Sequence, residues 1–254
     1  MRTYDFPRMS ALAINEEHPP IAASLADQAY YMIRERILRG KLSLGAVLSR
    51  RKLAAEFGMS LLPVSEALQS LESEGLVESQ PRVGTRVRIP TADEVRGRFV
   101  VREALEAESA RLCCRTATFP EKLELRRMGA HVDTLLNART KERANDKDFF
   151  YVGQEHHVSL HMRIAEFTRC VQLREAIEKN HVLIYDWFFN VSAPHMLLPE
   201  RFHSDLVEKV TGDDPAAADQ AMRVHVRFGL STILEQLARA TNGTDWRPKR
   251  GERQ

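Results

Sequence analysis

The chain has 254 residues, 43% of them hydrophobic, and a formal net charge of +2 at neutral pH. That length supports a real core in one or two domains, and no apolar run approaches the roughly 20 residues that a bilayer span needs, so no membrane is expected as a partner. Arg2 and Arg8 precede no long apolar stretch, and three cysteines (Cys113, Cys114, Cys170) are too few for a disulfide framework, which predicts a cytoplasmic protein without a secretory leader.

Residues 1–23, with Pro7, Pro19 and Pro20, read as a flexible arm. The most informative stretch is 48–89. Ser49 suits the N-cap of a helix whose Leu53, Ala54 and Phe57 share one face. Gly58-Met59-Ser60 supplies a short turn, with Ser60 as a second N-cap and Pro63 inside the next first turn, where its missing N–H does no harm. Val64, Ala67, Leu68 and Leu71 then recur at three- and four-residue spacing. After Gly75 the period becomes two: Val87 and Ile89 point one way, Arg86 and Arg88 the other, as in a two-stranded ribbon. Helix, turn, helix and wing form a shape suited to duplex DNA. Over residues 24–90 ten Lys/Arg face seven Asp/Glu, a small excess clustered at Arg50-Arg51-Lys52 and Arg82–Arg88, the edges expected to meet phosphate.

The stretch from Leu25 to Val87 resembles the winged helix of GntR-family bacterial transcription regulators. The resemblance rests on Ile37-Leu38, Gly40, Gly45, Leu48-Ser49, Leu53-Ala54, Pro63-Val64, Glu66-Ala67-Leu68, Leu71, Glu74-Gly75-Leu76-Val77 and Gly84. It implies DNA contact by Arg50, Arg51, Lys52, Ser60 and Ser65, and by the wing at Arg82, Gly84 and Thr85. The family usually has Arg just after the turn serine and again four residues later. Here those positions are Leu61 and Ser65, so base reading is expected to lean on Arg51 and on polar groups near Ser60 and Ser65.

Pro90-Thr91-Ala92-Asp93 reads as a linker, beyond which the strand pattern does not return. Helices are predicted over 91–116, 120–140, 147–168, 170–190, 199–211 and 214–240, the last with Asp214 as N-cap and Pro215 at the first helical position. Residues 91–240 thus form an all-helical second domain, and 241–254 a polar tail that frays. Tyr185-Asp186-Trp187-Phe188-Phe189 reads as core or dimer interface.

Four histidines in this half form a constellation. His157 and His161 are four apart and share a helix face. His203 and His225 lie about ten residues before and twelve after the turn at Gly212-Asp213, so antiparallel packing brings them level. Four imidazoles suit a divalent transition metal, zinc first, with nickel or manganese as alternatives. His156 leaves the helix about 100° from His157 and is expected to lie outside the site.

VVREALEAESARL, HVSLHMRIAEF and RFHSDLVEKVTGDDPAAADQAMRVHV are similar to the FCD ligand-sensing domain of the FadR-like subgroup. The family motif has Asp and His four apart, then two His separated by 22 residues. His161, His203 and His225 match its histidines, and His157 stands in place of the Asp. The resemblance implies a metal on these four residues and an organic-acid effector, reached by Arg102 in the first helix of the domain. Arg102 also has Glu106 one turn on, an ordinary surface ion pair as the plainer reading. With no aspartate among the ligands, the ion's charge is expected to lack compensation from the protein and to favour an anion.

The expected fold is mainly α: a winged helix-turn-helix with a two-stranded wing, then a helical bundle. The expected function is a metabolite-responsive regulator, a repressor, that binds a palindromic operator as a homodimer. The rivals are a metal-dependent hydrolase and a DNA-binding protein with a purely structural metal. The hydrolase is disfavoured because Val158, not a glutamate, follows His157.

Overall fold

The computed structural model describes residues 24–80, 84–138, 147–180 and 198–242. The predicted arm 1–23, Arg82, the end of the helix expected over 170–190 with its Tyr185–Phe189 cluster, and the tail beyond 242 lie outside these residues.

Helix α1 (Leu25–Leu38) starts in a capping box, in which the Asp27 amide donates to the Ser24 hydroxyl and the Ser24 amide donates to the Asp27 carboxylate. Helix α2 (Arg50–Phe57) is capped by Ser49, whose hydroxyl accepts from the Lys52 amide at 3.3 Å. It stops at Gly58, where φ is +64°, a left-handed conformation that a β-carbon disfavours. Helix α3 (Leu61–Ser73) has Ser60 at its N-cap position, but that hydroxyl makes no capping bond. Its Val64, Ala67, Leu68 and Leu71 pack with Ala29, Ile33 and Ile37 of α1 into the core of the head.

The sheet has one more strand than the sequence pattern suggests. β1 (Val47–Leu48), β2 (Val77–Gln80) and β3 (Gly84–Val87) are antiparallel in the order β1-β3-β2. The added strand is held to β3 where the Gly45 amide donates to the Val87 carbonyl and the Val87 amide to Ala46, both at 2.9 Å. Two residues are too few to show an alternation, which is why the pattern alone did not reveal it.

Helix α4 (Ala92–Thr116) begins inside the expected linker. Thr91 caps it in a second capping box with Glu94, and Arg88 at the end of the wing pairs with the same Glu94. The head is thus joined to the bundle almost without slack. Helices α5 (Phe119–Asn137), α6 (Lys147–Phe167), α7 (171–180), α8 (Phe202–Val210) and α9 (Pro215–Asn242) follow. Asp214 caps α9 through the amides of Ala216 and Ala217. α4 lies along α9, α8 packs on α5 and α9, and α6 packs on α4 and α5, so all five face one interior. Among the described residues no helix is long and apolar enough to cross a membrane.

Candidate metal centre

Three helices bring the four histidines together: α6 carries His157 and His161, α8 carries His203, and α9 carries His225. The Nε2 atoms of His157 and His161 are 2.9 Å apart, those of His161 and His225 3.1 Å, and those of His157 and His225 3.2 Å. One ligand nitrogen each from His157, His203 and His225 falls within 4.8 Å of the others. His161, His203 and His225 are buried, while His157 keeps a partly accessible edge.

The outer nitrogens decide what the inner ones present. His161 Nδ1 lies 2.5 Å from the Glu106 carboxylate, and His203 Nδ1 lies 2.8 Å from Asp133. A carboxylate only accepts, so each ring holds its proton on Nδ1 and turns a bare Nε2 lone pair inward. The longer contact of His157 Nδ1 with Gln154 Oε1, 3.4 Å, favours the same tautomer. Lone pairs packed this closely repel unless a cation sits among them. Two nitrogens about 2.0–2.1 Å from one first-row ion lie about 2.8–3.4 Å apart between octahedral and tetrahedral angles, so the spacing of these three Nε2 atoms fits a shared metal. Burial first, then the neighbouring His161, His203 and the Arg102 cation, hold the pKa of His225 well below its usual value; His157 is lowered in the same way, with His225 also contributing. Both rings are therefore neutral, the form that ligates.

The two carboxylates were not read as part of the site from the sequence. Glu106 was visible only as a neighbour of Arg102. In the structure the Arg102 Nε donates to it at 2.6 Å, and the pair is buried, with side chains 5% and 2% exposed, rather than lying at the surface. Arg102 also lines the space beside His157, His203 and His225. Asp133 is a cap supplied from another helix. α8 has Arg201 at its N-cap position and no side-chain capping bond of its own. Asp133 of α5 accepts instead from the amides of His203 and Ser204, at 2.9 and 2.8 Å, and from the Ser204 hydroxyl at 2.6 Å. Burial works against its charge, but these bonds outweigh it and hold its pKa below the ordinary range. Gly129, one turn before Asp133, permits the approach: a β-carbon there would stand 3.0 Å from a Val207 methyl and 3.2 Å from the His203 carbonyl. Glu106, shared with Arg102, and Asp133 thus stand one ring away from the space between the Nε2 atoms.

Leu198, Phe202 and Phe228 close the site on its remaining side, leaving a space of about 20 Å³, near the room of one water molecule. His156 points away, its ring edge-on to His131 at 4.8 Å.

In the head, Arg50, Arg51 and Lys52 stand exposed at the start of α2, and Gly84 is exposed with φ +99°. Thr85 is a correction to the expected wing contacts. It is 2% exposed and turned inward with Val87, its hydroxyl 3.1 Å from that of Ser79 and 3.4 Å from an Arg50 guanidinium nitrogen. Its side chain is therefore committed to contacts with Ser79 and Arg50 within the head. Arg86 pairs with Glu78 and Arg88 with Glu94, so the wing strands carry less free positive charge than their composition suggests.

Comparison with known proteins agrees with this division. The model of the family described as bacterial regulatory proteins, gntR family, matches residues 25–87, and that of the FCD domain matches residues 98–228. The chain is 26% identical over 223 residues to the HTH-type transcriptional repressor RspR of Escherichia coli K12, covering 86% of this chain and 92% of that protein. It is 31% identical over 202 residues to an HTH-type transcriptional regulator from an unstable DNA locus of Streptomyces ambofaciens, covering 78% and 80%. A GntR transcriptional regulator of Rhodococcus sp. RHA1 superposes with a TM-score of 0.67 at 18% identity, over 84% of this chain and 99% of that one.

Proposed function

The chain belongs to the gntR family of bacterial regulatory proteins and carries an FCD domain, so it is a transcription regulator and not an enzyme; from that premise we propose that it is a repressor whose hold on its operator is set by a small organic acid at a metal on His157, His161, His203 and His225. The observation that carries the metal is the convergence of inward-facing lone pairs on rings whose outer nitrogens are tied to Glu106 and Asp133. A bound divalent ion supplies a Lewis-acidic position for a carboxylate. Glu106 and Asp133 fix the rings, and Arg102 adds a buried cation facing the same space. Phe202 and Phe228 give the space an apolar wall beside the histidines. Neither carboxylate is free to act as a general base, since each is committed to a histidine.

The site has a physical route to the head. α6 holds two of the histidines and also Tyr151, on whose ring the Arg39 guanidinium rests, 4.6 Å from its centroid. Arg39 is the C-cap of α1, which packs on α3. A shift of α6 on effector binding therefore bears on the DNA-reading helices. The reading includes a homodimer on a palindromic operator, because two identical heads related by a two-fold axis match a palindrome. The repressor sign follows the name of the E. coli relative.

Elemental analysis tests the metal. The purified wild type and His156→Ala are expected to carry about one divalent ion per chain, and His203→Ala and His225→Ala to lose it. Equal metal in all four overturns the assignment. Short carboxylic acids are then expected to raise the melting temperature of the metal-loaded protein and not of the metal-free one. No shift with any acid would leave a structural ion in place of a sensor.

A further inference from the structure

Helix α3 is the reading helix of the head, yet LLPVSEALQSLES contains no lysine, arginine or histidine. Leu61 and Leu62, 48% and 67% exposed, open its outer face, followed by half-buried Ser65 and exposed Glu66 and Gln69, with Ser70, Glu72 and Ser73 exposed further along the helix. Three exposed cations of the head, Arg50, Arg51 and Lys52, stand on the neighbouring α2 instead. Guanine is recognised in the major groove by bidentate arginine or lysine, and this helix offers neither. The one apolar feature of the major groove is the thymine methyl group, and two solvated leucines in the first turn match it.

We propose that this head reads thymine methyl groups with Leu61 and Leu62 and adenine with Gln69, so that each half-site is A·T-specified and needs no guanine contact from α3. The inference rests on DNA binding by the winged helix. Glutamine pairs bidentately with adenine N6 and N7. Seven residues separate Leu62 from Gln69, about 10.5 Å along the helix. That span equals about three base-pair steps of 3.4 Å, which places the adenine about three base pairs from the thymine. The Ser65 hydroxyl donates to the Leu61 carbonyl at 2.8 Å, so it presents its oxygen to the groove as an acceptor. Arg51 and Lys52 have no acidic partner within ion-pair distance among the described residues and serve the phosphates on either side. The division is unusual in that charge positions the helix while methyl groups carry the sequence.

The test uses the full chain and a randomised duplex. Selected half-sites are expected to hold thymine at the position nearest Leu61 and Leu62 and adenine about three base pairs on. A half-site core that requires G·C pairs at those positions overturns the inference while leaving DNA binding intact. Failure to enrich or retain any duplex at low salt overturns DNA binding itself, and the inference with it. The decisive arm replaces each selected thymine by deoxyuridine, which removes only the methyl group. Wild type is expected to lose about fourfold in affinity per contacted methyl. The variant Leu61→Ala with Leu62→Ala is expected to bind the two duplexes equally. Both leucines are exposed, so its melting temperature, expected unchanged, shows that the fold survives. Equal loss in wild type and variant assigns the methyl contact to other residues and overturns the proposal.

Discussion

Among the described residues the bundle buries ion pairs and the head does not. In the winged helix the ion pairs lie toward the surface, as in Arg86–Glu78, whose side chains are 21% and 32% exposed. In the bundle Arg102, Glu106 and His161 form a line of contacts in which no side chain exceeds 5% exposure, and Asp133 with His203 forms a second. A domain that grips a long polyanion can leave its working groups in water. A domain proposed to hold one small ion has to strip water from the ligands, and each buried ring and cation then needs its own partner.

The sharpest way to break that contrast is to remove one carboxylate from each side. Glu106→Ala leaves the Arg102 guanidinium buried without its partner and is expected to cost about 3–5 kcal/mol in urea unfolding of the bundle. Glu78→Ala in the head is expected to cost no more than about 1 kcal/mol. Equal losses would mean that burial does not separate the two.

The next effect is in pH. Burial and neighbouring rings hold His157 and His225 neutral in the fold, with pKa values below those of the unfolded chain. The unfolded state therefore binds more protons, and stability is complete above about pH 6.5 and falls as the pH drops below it. Each ring contributes up to about 1.4 kcal/mol per pH unit in that window. Urea titrations of the metal-free protein between pH 7.5 and 5 are expected to show this slope, and His157→Leu with His225→Leu to flatten it. A slope that the double variant retains would place the titration elsewhere.

Asp133→Ala should be milder for stability and severe for the metal. Loss of the α8 cap is expected to cost about 1–2 kcal/mol, while metal affinity, followed by competition with a chelating dye, drops about 10- to 100-fold as His203 loses its orienting partner. Unchanged metal affinity would reduce Asp133 to a cap. The smallest structural effect belongs to Arg51→Ala, expected to leave the melting temperature alone and to lower the salt dependence of DNA binding by about one unit of slope. An unchanged slope would show that Arg51 touches no phosphate.

Much of this molecule was legible in its sequence because local rules decide it. Ser49, Gly58, Pro63 and Asp214 mark helix ends by chemistry acting within a few residues, and each does so in the structure. The spacing of Val64, Ala67, Leu68 and Leu71 determined the buried face of α3. What it left exposed, Leu61 and Leu62, can likewise be read from the order of residues. The positions of the four histidines were legible too, because two share one helix face and the other two flank one turn. What surrounds them was not. Asp133 caps a helix 70 residues further on, Glu106 reaches a ring 55 residues away, and Thr85 turns inward to hold Arg50. Sequence spacing carries information about groups on one helix or across one turn, where geometry is nearly constant. The partners of a buried charge are chosen by whatever helix packing brings within about 3 Å, and only the tertiary structure decides that.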